Sequence, residues 1–479
     1  MERIARRAKP RIDMTTGPMF AKIIRFMLPL IATNMLQQFY HAADIMIVGL
    51  SPEPDAVGAI GSTSSFIALI NNLFIGFSVG ANIVVARCIG HGDKEKTSQA
   101  VHTALYMGVL FGALGALIGI VLTRPILLGM GYEGNLLTLA VRYAYIYLAC
   151  LPFLALTNFL SAILQAQGNT KTSLYVLTAT GILNIGLNLF FVLVVGLSVE
   201  GVAIATAIAN LVSATVLWRY LAKNGTACRI EFRRLRMHRE QFVEIARIGF
   251  PSGLQNAFFS LSNIVVQSAI LQVNNLLTPV GSAYAPVVKG NAAVGSLENF
   301  IFSALSAVTV TASTFTAQNM GAGNYRRVRR GFAYICAIAV GIGILIPLTG
   351  ALLRTPLIAL YGVRDEGDFL SGLACRAAYV RMLVKWPFMF LFSFTNSCAG
   401  TIRGMGHSTL AAGITFFTTC VFRVLWIYTV FQAFQTMEMV YVSHPVSWGV
   451  TGACLLLVTL LLMKRKIAES ESEREAPLG

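Results

Sequence analysis

Long apolar runs fill most of this chain, and short polar clusters interrupt them at regular intervals. About 20 mostly apolar residues are enough for an α-helix to cross a hydrocarbon core. Hydropathy read against turn signals predicts twelve such helices. They cover 23–49, 57–85, 100–122, 138–165, 172–195 and 201–221, then 243–273, 285–316, 331–353, 376–402, 409–434 and 446–463. The expected fold is all-α and integral to a membrane. The first run is too long for the core of a signal peptide and reads as a retained span.

Composition agrees with that pattern. Hydrophobic residues make up 56% of the 479 residues and charged residues only 12%, whereas soluble domains carry roughly 25% charge. The net charge of +16 raises nucleic-acid binding as a function, but the placement of the charge decides against it. Lys and Arg concentrate before span 1, in 222–242, in Arg326–Arg330 and after span 12, while the alternate connections carry Glu53, Asp55, Asp365, Glu366 and Asp368. Positive charge marks the cytoplasmic side of short connections. Both termini are therefore expected in the cytoplasm, with no nucleic-acid partner. The eight cysteines are scattered singly, so neither a disulfide framework nor a metal site is predicted. No nucleophile–base pair or metal cluster points to an enzyme, and no cofactor is implied.

The chain repeats itself. Ala86, Gly90 and Gly92 in VARCIGHGDKEKTSQAV (85–101) match Ala317, Gly321 and Gly323 in TAQNMGAGNYRRVRRGF (316–332) at an offset of 231. Pro29 and Asn34 match Pro251 and Asn256, and LQAQGNT (164–170) parallels IRGMGHS (402–408). Two six-helix halves that start on the same side form a parallel repeat, a symmetry transporters use around a central substrate site. The predicted organisation is a basic tail (1–22), an N-lobe (23–221), a linker (222–242), a C-lobe (243–464) and a second tail (465–479). The two pseudo-symmetric lobes are expected to flank a central cavity. The G-x-x-x-G pairs GFSVG (76–80) and GALIG (115–119) read as helix-packing faces.

Of the 21 acidic residues, Asp44 and Glu298 lie well inside predicted spans. Ionisable groups there are costly and mark ion or substrate paths. Asp44 lies about 28 Å along its helix from Arg25, Asn188 about 26 Å from Lys171, and Thr206 about 8 Å below the outer boundary. These three share a depth, and Asn184 lies one turn deeper than Asn188. Gln37, Tyr40, His41 and Asp44 recur at i, i+3, i+4 and i+7, forming one polar stripe. Pro29 removes a backbone hydrogen bond below that stripe and permits a hinge. Depth alone weighs a headgroup cap equally with a buried site for Asp44. His41 reads first as a structural partner. Glu298, about 14 Å from Lys289, is either an interface pair or a second acid of the C-lobe, and Arg423 needs an internal partner or a wet cavity.

DIMIVG (44–49), AILQAQGNT (162–170), LNIGLNLFFV (183–192), GVAIATAIA (201–209), TFTAQNMGAG (314–323) and TIRGMGHS (401–408) resemble the multidrug and toxic compound extrusion (MATE) family, in its bacterial DinF-type branch. The resemblance covers about residues 15–465. It implies a monomeric, cation-coupled antiporter of a bacterial cytoplasmic membrane, which exports amphipathic or cationic small molecules by alternating access. It places the coupling carboxylate at Asp44, with Tyr40, Asn184, Asn188 and Thr206 around it. Gln37, His41, Glu298 and Arg423 remain candidates for coupling or for the substrate cavity. Asn188 stands where some relatives have a second carboxylate, and the C-lobe acids of sodium-coupled relatives are apolar here, near Phe259 and Phe392. The implied ion is therefore H+ rather than Na+. The alternative is a flippase for lipid-linked oligosaccharides or another amphiphile, for which Arg142, Arg376, Arg381, Lys385 and Arg423 could line an anionic path.

Overall fold

The computed structural model describes residues 12–51, 53, 55–129, 131–223, 227–279 and 285–475. The ends of both predicted tails, 1–11 and 476–479, lie outside the described residues, as do 224–226 of the linker. No strand occurs among the described residues. The helices of the first half are α1 (Met19–Val48), α2 (Ala56–His91), α3 (Lys94–Gly129), α4 (Gly134–Ala149), α5 (Leu151–Ala166), α6 (Thr170–Leu189) and α7 (Val199–Lys223). Those of the second half are α8 (Arg239–Leu277), α9 (Pro286–Gly321), α10 (Tyr325–Leu352), α11 (Arg354–Ala359), α12 (Phe369–Lys385), α13 (Met389–Gly404), α14 (Ser408–Thr415), α15 (Phe422–Tyr428), α16 (Val430–Phe434) and α17 (Met437–Glu475).

Among the described residues, eleven helical stretches are long and apolar enough to cross a membrane, and α4 with α5 makes a twelfth if that bent pair is one span. Most helices outrun their predicted limits because their polar ends continue the backbone ladder beyond the apolar window that defines a span. Predicted span 4 is broken: α4 and α5 meet at 46°, and Pro152 follows the break. Predicted span 10 stays one span, Phe369–Gly404, and passes through a 3₁₀ turn at Trp386–Phe388 with Pro387 inside it. Proline has no N–H to offer the preceding turn, so each interrupts the regular α-helical ladder. By contrast α1 runs unbroken through Pro29.

The chain divides into two compact units. Unit 1 comprises Met1–Leu254 and Ala317–Asn324, and unit 2 comprises Gln255–Thr316 and Tyr325–Gly479. The division does not fall at the predicted linker, because the first part of α8 belongs to unit 1. There Gly76 and Gly80 of α2 meet Gly249 and Gly253 of α8 backbone to backbone, leaving no room for a Cβ. Two G-x-x-x-G faces thus pack on each other, as small residues allow. The second predicted pair behaves differently: Gly115 and Gly119 seat the side chains of Phe74, Leu151 and Leu148.

The linker is docked rather than loose. Glu231 N–H donates to His102 Nε2 at 3.0 Å and His238 N–H to Thr103 Oγ1 at 3.1 Å. The stretch ahead of α1 is likewise tied down. Met14 is fully buried; its N–H donates to Gln318 Oε1 at 3.1 Å, and its carbonyl accepts from Asn319 Nδ2 at 3.2 Å. At the other end, α17 carries the predicted second tail onward as helix through Glu475. Glu469 accepts from both Arg465 and Lys466 there, each at 2.8 Å.

The repeated glycine loops meet within unit 1. A Cβ on Gly90 would strike Gln318 O and crowd Ala322 N; a Cβ on Gly321 would strike Arg87 O and crowd His91 N. Each contact maps onto the other at the same offset of 231, so the crossing is self-complementary, like the contact in a two-fold dimer. Gly92 (φ 76°) and Gly323 (φ 69°) turn the chain in the left-handed region just past the crossing, where glycine costs least. Gly90→Ala and Gly321→Ala are each expected to lower stability by about 1–3 kcal/mol through overpacking. That outweighs the roughly 0.5–1 kcal/mol of helix propensity gained. The double variant should lose less than the sum, because either one alone already splays the crossing. Thermal midpoints by fluorescence-detected size exclusion test this, and unchanged midpoints would refute it.

Candidate functional site

Three helices of unit 1 bring the predicted polar residues together. Asp44 sits one turn from the end of α1, and Asn188 donates from Nδ2 to Asp44 Oδ1 at 2.5 Å. The same amide lies 3.4 Å from Asn184 Oδ1, and Asn184 Nδ2 donates to Thr206 Oγ1 of α7 at 3.3 Å. A hydrogen-bond relay thus runs Asp44–Asn188–Asn184–Thr206. Asn188 is fully buried, and its Oδ1 has no hydrogen-bond partner. An unmatched acceptor in a buried site calls for an explanation, and this one lies on the side chain that holds the carboxylate.

Tyr40, one turn below Asp44, lays its ring on Gly181 of α6, where any Cβ would overlap the ring. Its hydroxyl donates to Thr178 O at 3.2 Å. Glycine at 181 lets α1 and α6 approach closely enough for Asp44 to reach Asn188. Sequence reading missed Gly181 because its role depends on a residue about 140 positions away.

The predicted stripe on α1 divides. Its four residues spread over about 100° of helix circumference. Tyr40 and Asp44 form the edge facing α6, while Gln37 and His41 form the other edge and are exposed. His41 does not join the relay. Near the foot of α1, Pro29 is buried, and Thr33 Oγ1 donates to its carbonyl at 2.7 Å. Such a back-bond bends helices slightly. Beyond Asn188 the α6 backbone widens into a π-turn at Phe190–Val194, a form that often marks functional positions.

Unit 2 holds a second polar cluster. Glu298 of α9 is fully buried. Its Oε1 accepts from Arg381 Nε at 3.1 Å, and its Oε2 accepts from Arg381 Nη2 at 2.5 Å and Lys385 Nζ at 2.6 Å. This corrects the picture of a pair near the membrane interface: two cations of α12 grip the carboxylate inside the helix packing. Arg381 also bonds the carbonyl and the side chain of Asn291, whose Oδ1 accepts from Tyr441 OH at 3.1 Å. Arg423, 3% exposed, donates from Nε to Ser447 Oγ at 3.1 Å and lies 6.0 Å from the centre of the Trp448 ring. It follows a second π-turn, Phe416–Val421. Arg381 and Lys385 carry no recognisable local motif; their pairing with Glu298 spans 83 and 87 residues.

The chain is 26% identical over 450 residues to the probable multidrug resistance protein YoeA of Bacillus subtilis, covering 90% of this chain and 91% of that protein. It is 25% identical to the multidrug export protein MepA of Staphylococcus aureus over 259 residues, which is 54% of this chain and 57% of MepA. The structure superposes with a TM-score of 0.86 on the outward-facing conformation of a multidrug resistance MATE family transporter of the MOP superfamily. That match has 21% identity and covers 96% of this chain and 99% of the other. The MatE family model matches residues 29–190 and 251–429, one stretch in each half of the sequence. With most of its length matched in this way, the chain belongs to the MatE family.

Proposed function

We propose that this protein is a proton-coupled antiporter that exports amphipathic or cationic small molecules by alternating access, with Asp44 as the proton carrier. The observation that carries this reading is the pairing of Asp44 with an amide whose own oxygen is unmatched. An amide offers N–H donors on one side and an acceptor on the other. Towards ionised Asp44, Asn188 presents its N–H, as in the structure. Towards protonated Asp44, a half-turn of the same amide presents Oδ1 to the new O–H. Asn188 therefore satisfies both protonation states, which a second carboxylate could not do without adding charge.

Multidrug names among the relatives support drug-like cargo, and the Lys- and Arg-rich connections support cytoplasmic termini. Proton coupling is favoured over sodium because the relay holds a single carboxylate, with the neutral Asn188 beside it, so a metal cation would lack a second charged ligand there. Glu298 is assigned a different role, that of fixed counter-ion. Proton uptake there would strand two buried cations, so it does not cycle.

Everted membrane vesicles, loaded with either a proton or a sodium gradient of equal size, test the coupling ion by uptake of a cationic dye. Uptake is expected with the proton gradient and at background level with sodium alone. Sodium-driven uptake without a pH difference would overturn the ion assignment.

A further inference from the structure

The buried cluster of unit 2 carries more positive charge than its acid can balance. Glu298 faces Arg381 and Lys385, and Arg423 adds a third cation whose bonded partner, Ser447 Oγ, is a neutral hydroxyl. That hydroxyl gives its own proton to His444 O at 2.8 Å. Excess charge inside a membrane helix bundle is expensive unless a counter-charge or water joins it.

A second observation points the same way. Trp448 is 3% exposed, and its indole N–H has no acceptor. A buried donor left unmatched costs about 1–3 kcal/mol. Cations and an orphan N–H make the cluster rich in donors and poor in acceptors, the chemistry that an oxyanion completes.

The two cationic poles are joined by a wall of rings. Lys385 Nζ lies 6.0 Å from the Phe302 ring, and Phe302 lies 4.9 Å from Phe392. Phe392 lies 5.5 Å from Trp448, over which Arg423 sits. Phe302 and Phe392 are half-buried, so each keeps part of its surface outside the packing. An acid group held at a pole with an apolar body laid along this wall matches both features.

We propose that this cluster binds the carboxylate or phosphate of an anionic amphiphile, with Arg423 and Trp448 as its principal donors. That such a ligand is also transported rests on the export reading above. The binding itself does not, and it is measured without any gradient or turnover, so the two readings fail separately.

The test uses the full chain in phosphatidylcholine nanodiscs, with empty discs subtracted. Equilibrium binding is read for radiolabelled decanoate, its methyl ester and decyltrimethylammonium. Decanoate is expected to bind saturably and at least about tenfold more tightly than the ester, a difference of about 1.4 kcal/mol. Arg423→Gln should erase that preference and leave decyltrimethylammonium unchanged, while Arg423→Lys should keep part of it. Trp448→Phe, which keeps a ring but removes the N–H, gives a second readout and should weaken decanoate alone. If phosphatidylglycerol discs abolish decanoate binding in the unmodified chain, the site is filled by headgroup phosphate; if they do not, by the free carboxylate. Either result supports an anion site. Equal affinity for decanoate and its ester, or variants that weaken all three probes alike, would overturn it.

Discussion

Replacing Asp44 with Asn is expected to reduce gradient-driven dye uptake to the level of vesicles lacking the transporter, with the protein still folded. The substitution keeps the shape of the side chain and its hydrogen bond to Asn188, but it removes the group that takes up and releases a proton. A charged hydrogen bond becomes a neutral one, which costs on the order of 1 kcal/mol, while the buried charge and its desolvation cost disappear as well. Stability should therefore hardly move, whereas coupling should vanish. Uptake measured beside a thermal midpoint separates the two effects. Asn188→Ala serves as a companion: it leaves the carboxylate in place, removes the amide that serves both protonation states, and should slow uptake without abolishing it. Normal uptake by Asp44→Asn would sink the proton-carrier role.

The largest stability effect is expected at Glu298. Glu298→Gln leaves Arg381 and Lys385 buried without their shared counter-charge, and breaking a buried pair in this way costs about 3–5 kcal/mol. A neutral amide can accept from one cation but balances neither. The thermal midpoint should fall steeply, or the protein should be lost from the membrane fraction. Adding Lys385→Met to Glu298→Gln should recover part of the loss, because only one buried cation then remains in the grip. If Glu298→Gln instead folded normally and lost uptake alone, Glu298 would be a coupling acid rather than a counter-ion.

These two acids show where the sequence was informative. Asp44, Asn188 and Thr206 could be placed at one depth because each lies a countable number of residues from an end of its span, and 1.5 Å of rise per residue converts that count to depth. The structure brings them into one relay for the same reason. The stripe Gln37–Tyr40–His41–Asp44 was visible as a stripe, but which edge met a neighbour depended on Gly181, and nothing local to α1 encodes that. Glu298 was visible as a buried acid and Arg381 and Lys385 as cations that could line an anionic path, but not as partners of one another. Distance along the sequence hides an ion pair that spans 83 residues. The boundary between units escaped notice for a related reason. A basic segment resembles a linker, yet Gly249 and Gly253 bind the first part of α8 to α2 by the absence of side chains, which hydropathy does not record.

Both π-turns, Phe190–Val194 and Phe416–Val421, change how their spans should be drawn. Each wide turn takes in one residue more than an α-turn, which is worth about 100° of rotation about the axis. A helical wheel drawn through residues 170–194 is therefore correct up to Leu189 and rotated out of phase after it. Deleting one residue from Phe190–Val194 would tighten the backbone into ordinary α-helix and swing everything beyond it round the axis, while Asn184 and Asn188 kept their bearing on Asp44. For anyone aligning this chain with another, a single-residue gap in that stretch is a change of face, not of length.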